Sequence, residues 1–153
     1  MPSYDESYEK GMLYQDFITD QLMSRGISLN AYSSRKYQFE RGESASGIEV
    51  KFDSRMAETG NVYIEVAEKS GPDMPDFTPS GIYRKDNTWL YLIGDYDEAL
   101  LMGKAQLRMT VGMDPAFLYE NGIVRREGET SIGYTIPVSF CDKNLALKHF
   151  RFR

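Results

Sequence analysis

Apolar positions recur at helical spacing over residues 7–24, where Leu13, Tyr14, Phe17, Ile18 and Leu22 share one broad face, and Gly26 follows as a stop. The period then shortens to two. Residues 36–41 fit a first strand. The segment IEVKFDSRMAETGNVYIEVAEK reads as two alternating strands, near 48–53 and 62–68, joined through Thr59, Gly60 and Asn61 as turn chemistry. The stretch SGPDMPDFTPSG holds three of the six prolines and reads as an excursion over the surface. Beyond it, TWLYLIGDYDEALLMG predicts two strands with a turn at residues 94–96. Residues 104–111 predict a short helix stopped by Gly112 and Pro115. GYTIPVSF predicts a late strand with Pro137 at an edge or bulge, followed by a helical turn near 144–149. Helix, strands, helix, strand is the order of an α/β or α+β domain with a mixed sheet flanked by helices.

Composition narrows this picture. A chain of 153 residues, 41% hydrophobic and 13% aromatic, is long enough to form one domain over 1–153 with a core of its own. Neither a basic start with an apolar h-region nor an apolar run of membrane-spanning length is present, which predicts a cytoplasmic protein with no membrane partner. The single cysteine, Cys141, and the single histidine, His149, exclude an internal disulfide and a histidine-built metal site, and both read as structural. A net charge of −5 argues against a general nucleic-acid coat. It leaves room for a nuclease, whose metal site needs acids of its own.

The candidate chemistry lies in the predicted hairpin. Alternation puts Ile48, Val50 and Phe52 on one face and Glu49, Lys51 and Asp53 on the other. In the second strand Val62, Ile64 and Val66 oppose Tyr63, Glu65, Ala67 and Lys69. Pairing the apolar faces brings Glu49 or Asp53 across from Glu65. Carboxylates so close repel unless a proton or a cation lies between them. Oxygen-only ligands select a hard ion, magnesium or manganese, able to activate water and polarise a phosphodiester, with a nearby lysine adding charge stabilisation. Alternation alone favours an amphipathic hairpin whose polar face meets solvent through cross-strand ion pairs, since charged strand faces are common.

The wider wording resembles the PD-(D/E)xK, or restriction-endonuclease-like, nuclease superfamily. That family begins with a helix bearing an acid, matched by Asp16 in YQDFI. It continues with a first acid on one strand, matched by Glu49 in GIEVKFD or by Asp53, and an acid-x-lysine on the next, matched in its acid by Glu65 in YIEVAEK. GIEVKFD, TGNVYIEVAEKS, PSGIYRKDNTWLYLIG and ETSIGYTIPVSF also resemble small phage and prophage proteins. Ala67 stands where the lysine belongs, so Lys51 or Lys69, on the same predicted face, would supply the charge, and Lys51 sits between the candidate acids of its strand. The resemblance implies a restriction-endonuclease-like core with a central acidic hairpin. Glu49, Asp53 and Glu65 would hold magnesium or manganese, and Lys51 or Lys69 would act on the phosphate. DNA would be the partner, whether duplex, single-stranded or branched, with a homodimer as the route to double-strand cutting. The rival expectation is a noncatalytic accessory factor binding DNA or a protein. Tyr37, Tyr63 and Tyr83 are candidates for base stacking, Glu43 for a further acid, and Asp86 for a groove beside the site. Trp89 is expected in the core.

Overall fold

The computed structural model describes residues 4–27 and 47–153. The first helix, α1 (Tyr4–Met23), carries Asp5 and Glu6 in its opening turn, where the helix dipole favours negative charge. Tyr14, Ile18 and Leu22 are buried, whereas Leu13, expected on the apolar face, is exposed.

Among the described residues the rest of the chain builds two four-stranded sheets. The first sheet has the order β1-β4-β5-β8, with β1 (Ile48–Phe52), β4 (Leu90–Gly94), β5 (Glu98–Gly103) and β8 (Ala146–Arg151). β1 runs parallel to β4, and the other pairs are antiparallel. The second sheet is antiparallel throughout, β3-β2-β7-β6, with β2 (Asn61–Glu68), β3 (Thr78–Pro79), β6 (Val124–Glu127) and β7 (Ser131–Pro137). Helices α2 (Met56–Thr59), α3 (Lys104–Val111) and α4 (Pro115–Glu120) fill the connections. The mixed α+β class expected from the element order is what forms, but the single mixed sheet expected with it is replaced by two sheets, one mixed and one antiparallel.

Alternation along β4 and β5 sorts the core into two layers. Leu92 and Ala99 face α1 and meet Tyr14, Ile18, Leu22 and Phe150, joined by Ile48, Val50 and Phe52 of β1. Tyr91, Ile93, Leu100 and Met102 face the other way, onto Val62, Ile64 and Ile136 of the second sheet, with Leu107 and Val111 of α3. Each fully buried aliphatic side chain here contributes about 1.5–3 kcal/mol of transfer free energy. Cys141 lies inside this second layer, where burial pushes its thiol up to about 12 and keeps it unreactive.

Three expectations are corrected. Strands 48–52 and 61–68 form, but not as a hairpin: β1 pairs with β4 and β2 with β7. Residues 53–60 look like a hairpin turn, yet Met56 is buried, and a turn of helix around it carries the chain from one sheet to the other, with Gly60 at φ +72° closing α2. The helical turn expected near 144–149 comes earlier, over Val138–Phe140 and Cys141–Leu145, because 146–151 complete the first sheet. Trp89 is 61% exposed rather than in the core. It precedes the first paired residue of β4, and its ring lies over Gly47, where a Cβ would come within 2.5 Å of Cδ1. Residues 36–41, Tyr37 and Glu43 lie outside the described residues.

Candidate active site

Among the described residues β1 is an edge strand, and its apolar residues face α1, so Glu49 and Lys51 take the opposite side. Asp53 follows directly. Its Oδ2 accepts the Tyr63 backbone N–H at 2.9 Å and its Oδ1 accepts that of Arg55 at 3.2 Å. This contact joins the end of β1 to the start of β2 in place of a strand ladder. Between the two strands lies a cleft of about 260 Å³, lined by Lys51, Asp53, Ser54, Tyr63 and Glu65 and floored by Ile82, Tyr91 and Ile93.

Two arms of charge face this cleft. On the β1 side Lys51 Nζ lies 2.8 Å from Glu49 Oε1; Glu49 is buried, and the lysine side chain is 45% exposed. Glu49 holds the ammonium charged and raises its pKa against the opposing effect of burial, with a further contribution from Glu65. On the β2 side the register slips between Glu65 and Ala67, so that Glu65 stands opposite Gly133 and Glu68 opposite Ser131. The bulge thereby puts both acids on one face. Glu65 Oε1 accepts the Ser131 hydroxyl at 2.9 Å, and Ser131 Oγ lies 2.6 Å from the Tyr63 hydroxyl. Glu68 pairs with Arg84 at 3.3 Å. Burial opposes the charge of Arg84, and Glu49, Glu68, Asp86 and Glu65 outweigh it.

The turn at Gly81–Tyr83 closes the far wall. Gly81, at φ +54°, presses on β2, where a Cβ would come within 2.1 Å of the Glu65 carbonyl oxygen, and the Tyr91 hydroxyl donates to the Gly81 carbonyl at 2.9 Å. Burial, then the nearby Glu49, raises the pKa of Tyr91.

Three of the five sequence-predicted residues, Lys51, Asp53 and Glu65, therefore line this cleft, and a fourth, Glu49, is held beside it by its pairing with Lys51. Lys69 does not; its Nζ donates to the Met74 carbonyl and lies over the Phe77 ring. Asp16 is exposed on α1, while its neighbour Gln15 is buried and lines an adjoining hollow with Glu49 and Lys51. Sequence reasoning missed Gln15, Arg84, Tyr91 and Ser131, which come from four distant segments with no local signature. It also passed over Glu49-Val50-Lys51, itself an acid-x-lysine, whose spacing was visible throughout.

The predicted metal set fits only in part. Among the described residues no three His, Cys, Asp or Glu side chains converge as an ion would require, and both oxygens of Asp53 hold backbone N–H groups. Glu49 and Glu65, both acting on Lys51, remain. Magnesium commonly takes one or two carboxylates and completes its shell with water and substrate phosphate.

The clasp role of Asp53 has a measurable consequence. Asp53→Ala loses two charge-assisted hydrogen bonds and is expected to lower stability by about 2 kcal/mol in urea unfolding, with Asp53→Asn, which keeps one acceptor, between it and wild type. A midpoint unchanged in Asp53→Ala would remove the clasp. Burial raises the Asp53 pKa, opposed by the Tyr63 and Arg55 N–H groups. The folded chain thus takes up this proton at higher pH than the unfolded one. Through this group stability declines as pH rises from the ordinary aspartate range to the raised value.

No protein-family model, curated protein or solved structure matches the chain. Among the described residues no helix is long and apolar enough to cross a membrane.

Proposed function

We propose that the protein hydrolyses phosphodiester bonds in DNA with magnesium or manganese, as a small nuclease built on a restriction-endonuclease-like core. The observation that carries this reading is the Glu49–Lys51 pair at 2.8 Å on the edge strand, with Glu65 across the cleft. Glu49-Val50-Lys51 has the acid-x-lysine spacing that Glu65-Val66-Ala67 lacks, placed on the earlier of the two strands and not on the later one. The helix-first order, with α1 packed on the sheet that carries this motif, also agrees with the resemblance.

In this reading each residue of the cleft has a chemical task. Lys51, kept charged by Glu49, neutralises charge developing on the phosphoryl oxygens. Ser131, tied to Tyr63, fixes one oxygen of Glu65, leaving the other for the site. Arg84 supplies a second cation at the far end. A hard divalent ion held by Glu49 and Glu65 would supply Lewis acidity and a water of lowered pKa.

The test is incubation of supercoiled, single-stranded and branched DNA with magnesium, manganese or EDTA, beside Glu65→Ala. Cutting is expected with either metal, none in EDTA, and a loss of at least about a hundredfold in the variant. A folded wild type that cuts no substrate would sink the reading and favour the rival, a noncatalytic accessory factor. That rival draws on the Glu49–Lys51 contact, which serves equally as a structural ion pair.

A further inference from the structure

Cationic hollows flank the cleft at both ends of β2. Near its first residues, Arg55, Asn61, Tyr63, Arg126 and Thr135 line a depression of about 640 Å³ that shares Asp53 and Tyr63 with the cleft. Past its last residue, where Glu68 meets Arg84, a second depression of about 640 Å³ gathers Arg84, Lys85, Lys104 and Arg108 around one acid, Asp86, already paired with Lys104. An overall charge of −5 makes two such concentrations of cations stand out.

Each hollow has an exposed aromatic ring beside it. Tyr63, 36% exposed, lies against the Gly133 backbone, where a Cβ would meet its Cζ at 2.4 Å, and is anchored through its hydroxyl to Ser131. Tyr83, 40% exposed, has the Arg108 guanidinium 5.5 Å from its ring centroid. Rings held this way are stacking surfaces for unpaired bases, while the bases of a duplex are already stacked on one another.

We infer that these features form one track for an unpaired DNA strand, running along β2 from Arg55 and Arg126, past Lys51 and Glu65, to Arg84, Lys85 and Arg108. The eight residues of β2 extend about 24 Å. At the roughly 3.4 Å per nucleotide of a duplex strand that length would span about seven steps, and an unstacked strand, which is more extended, would cover it in fewer. The middle of the track rests on the nuclease reading; its two ends rest on charge and exposed rings alone.

Fluorescence anisotropy with a labelled single strand and the matching duplex, at graded salt in EDTA, tests the ends without chemistry. Wild type is expected to prefer the single strand. Lys85→Ser and Arg126→Ser, both at exposed positions, are each expected to flatten the dependence of log affinity on log salt by about 0.7. Tyr83→Ala is expected to weaken binding about tenfold. Equal or tighter duplex binding, or variants that keep the wild-type slope, would overturn the track. The two readings fail separately. Expected binding with no cutting of any substrate removes the nuclease and keeps the track, whereas metal-dependent cutting that is indifferent to Lys85→Ser and Arg126→Ser removes the track and keeps the nuclease.

Discussion

Lys51→Met is expected to lower the single-turnover rate of DNA cleavage by about 10²–10³-fold, the usual cost of deleting one preorganised charge aimed at a transition state. The lysine side chain is 45% exposed and its stem has nearly the length of methionine, but its loss leaves the buried Glu49 without its ammonium, so the rate is read well below the variant's own melting temperature, measured by circular dichroism. Lys51→Arg separates charge from geometry, because a planar guanidinium cannot reproduce a compact ammonium 2.8 Å from Glu49. A loss of less than tenfold in Lys51→Met would take Lys51 out of the reaction. The pH dependence adds a second readout. Glu49 is the largest cause of the raised lysine pKa, so Glu49→Gln should pull the alkaline loss of charge to lower pH. The same pairing stabilises the fold fully below the ordinary lysine range, and its contribution disappears as pH rises through the raised value.

Lys104→Met is expected to destabilise the protein by about 3–5 kcal/mol, the cost of breaking a buried ion pair from one side. Its ammonium, 8% exposed, opens α3 and donates to Asp86 Oδ1 at 2.9 Å and to the Arg84 carbonyl at 2.7 Å. Without it the Asp86 carboxylate, whose side chain is 9% exposed, retains among the described residues only the hydrogen bond from the Thr88 N–H at 3.0 Å. For a chain of this size the melting temperature should fall by on the order of 10 °C. The double variant Lys104→Met with Asp86→Leu removes both charges and should recover much of the loss. A single variant that melts within a degree or two of wild type would show the pair to be dispensable. Arg84 hangs from the same segment, so loss of the pair would also displace the cation that reaches Glu68.

Local pattern carried the helix over residues 4–23, the strand pair 90–94 and 98–103, and α3, because periodicity and adjacency in sequence suffice for elements that pair with a neighbour. It failed for residues 48–52. Alternation says which side chains share a face, not which strand lies alongside, and a connection as short as 53–60 reads as a turn unless the burial of Met56 is known. The gathering of Glu49, Lys51, Asp53 and Glu65 was nevertheless legible. Two amphipathic strands that bury their apolar sides in one core bring their polar sides to a common edge even without pairing. The partners of those residues were not legible: Ser131 reaches Glu65 across 66 positions in sequence. Only the bulge at Val66 sets Glu68 beside it. His149 is similar, since its two carboxylate partners, Glu98 and Asp142, each at 2.8 Å, sit on different elements.

The chain visits its two sheets by turns: β1 belongs to the first, β2 and β3 to the second, β4 and β5 to the first, β6 and β7 to the second, and β8 to the first again. Any cut of the backbone between β2 and β7 divides both sheets, so proteolytic halves made there would have no independent stability, and the parallel β1–β4 pair must wait for an intervening stretch of 37 residues, 53–89, to be placed. Because the two walls of the cleft belong to different sheets, a partly unfolded form that keeps one sheet would have only half of the residues that line it. Opening of either sheet alone should therefore be enough to dismantle the cleft.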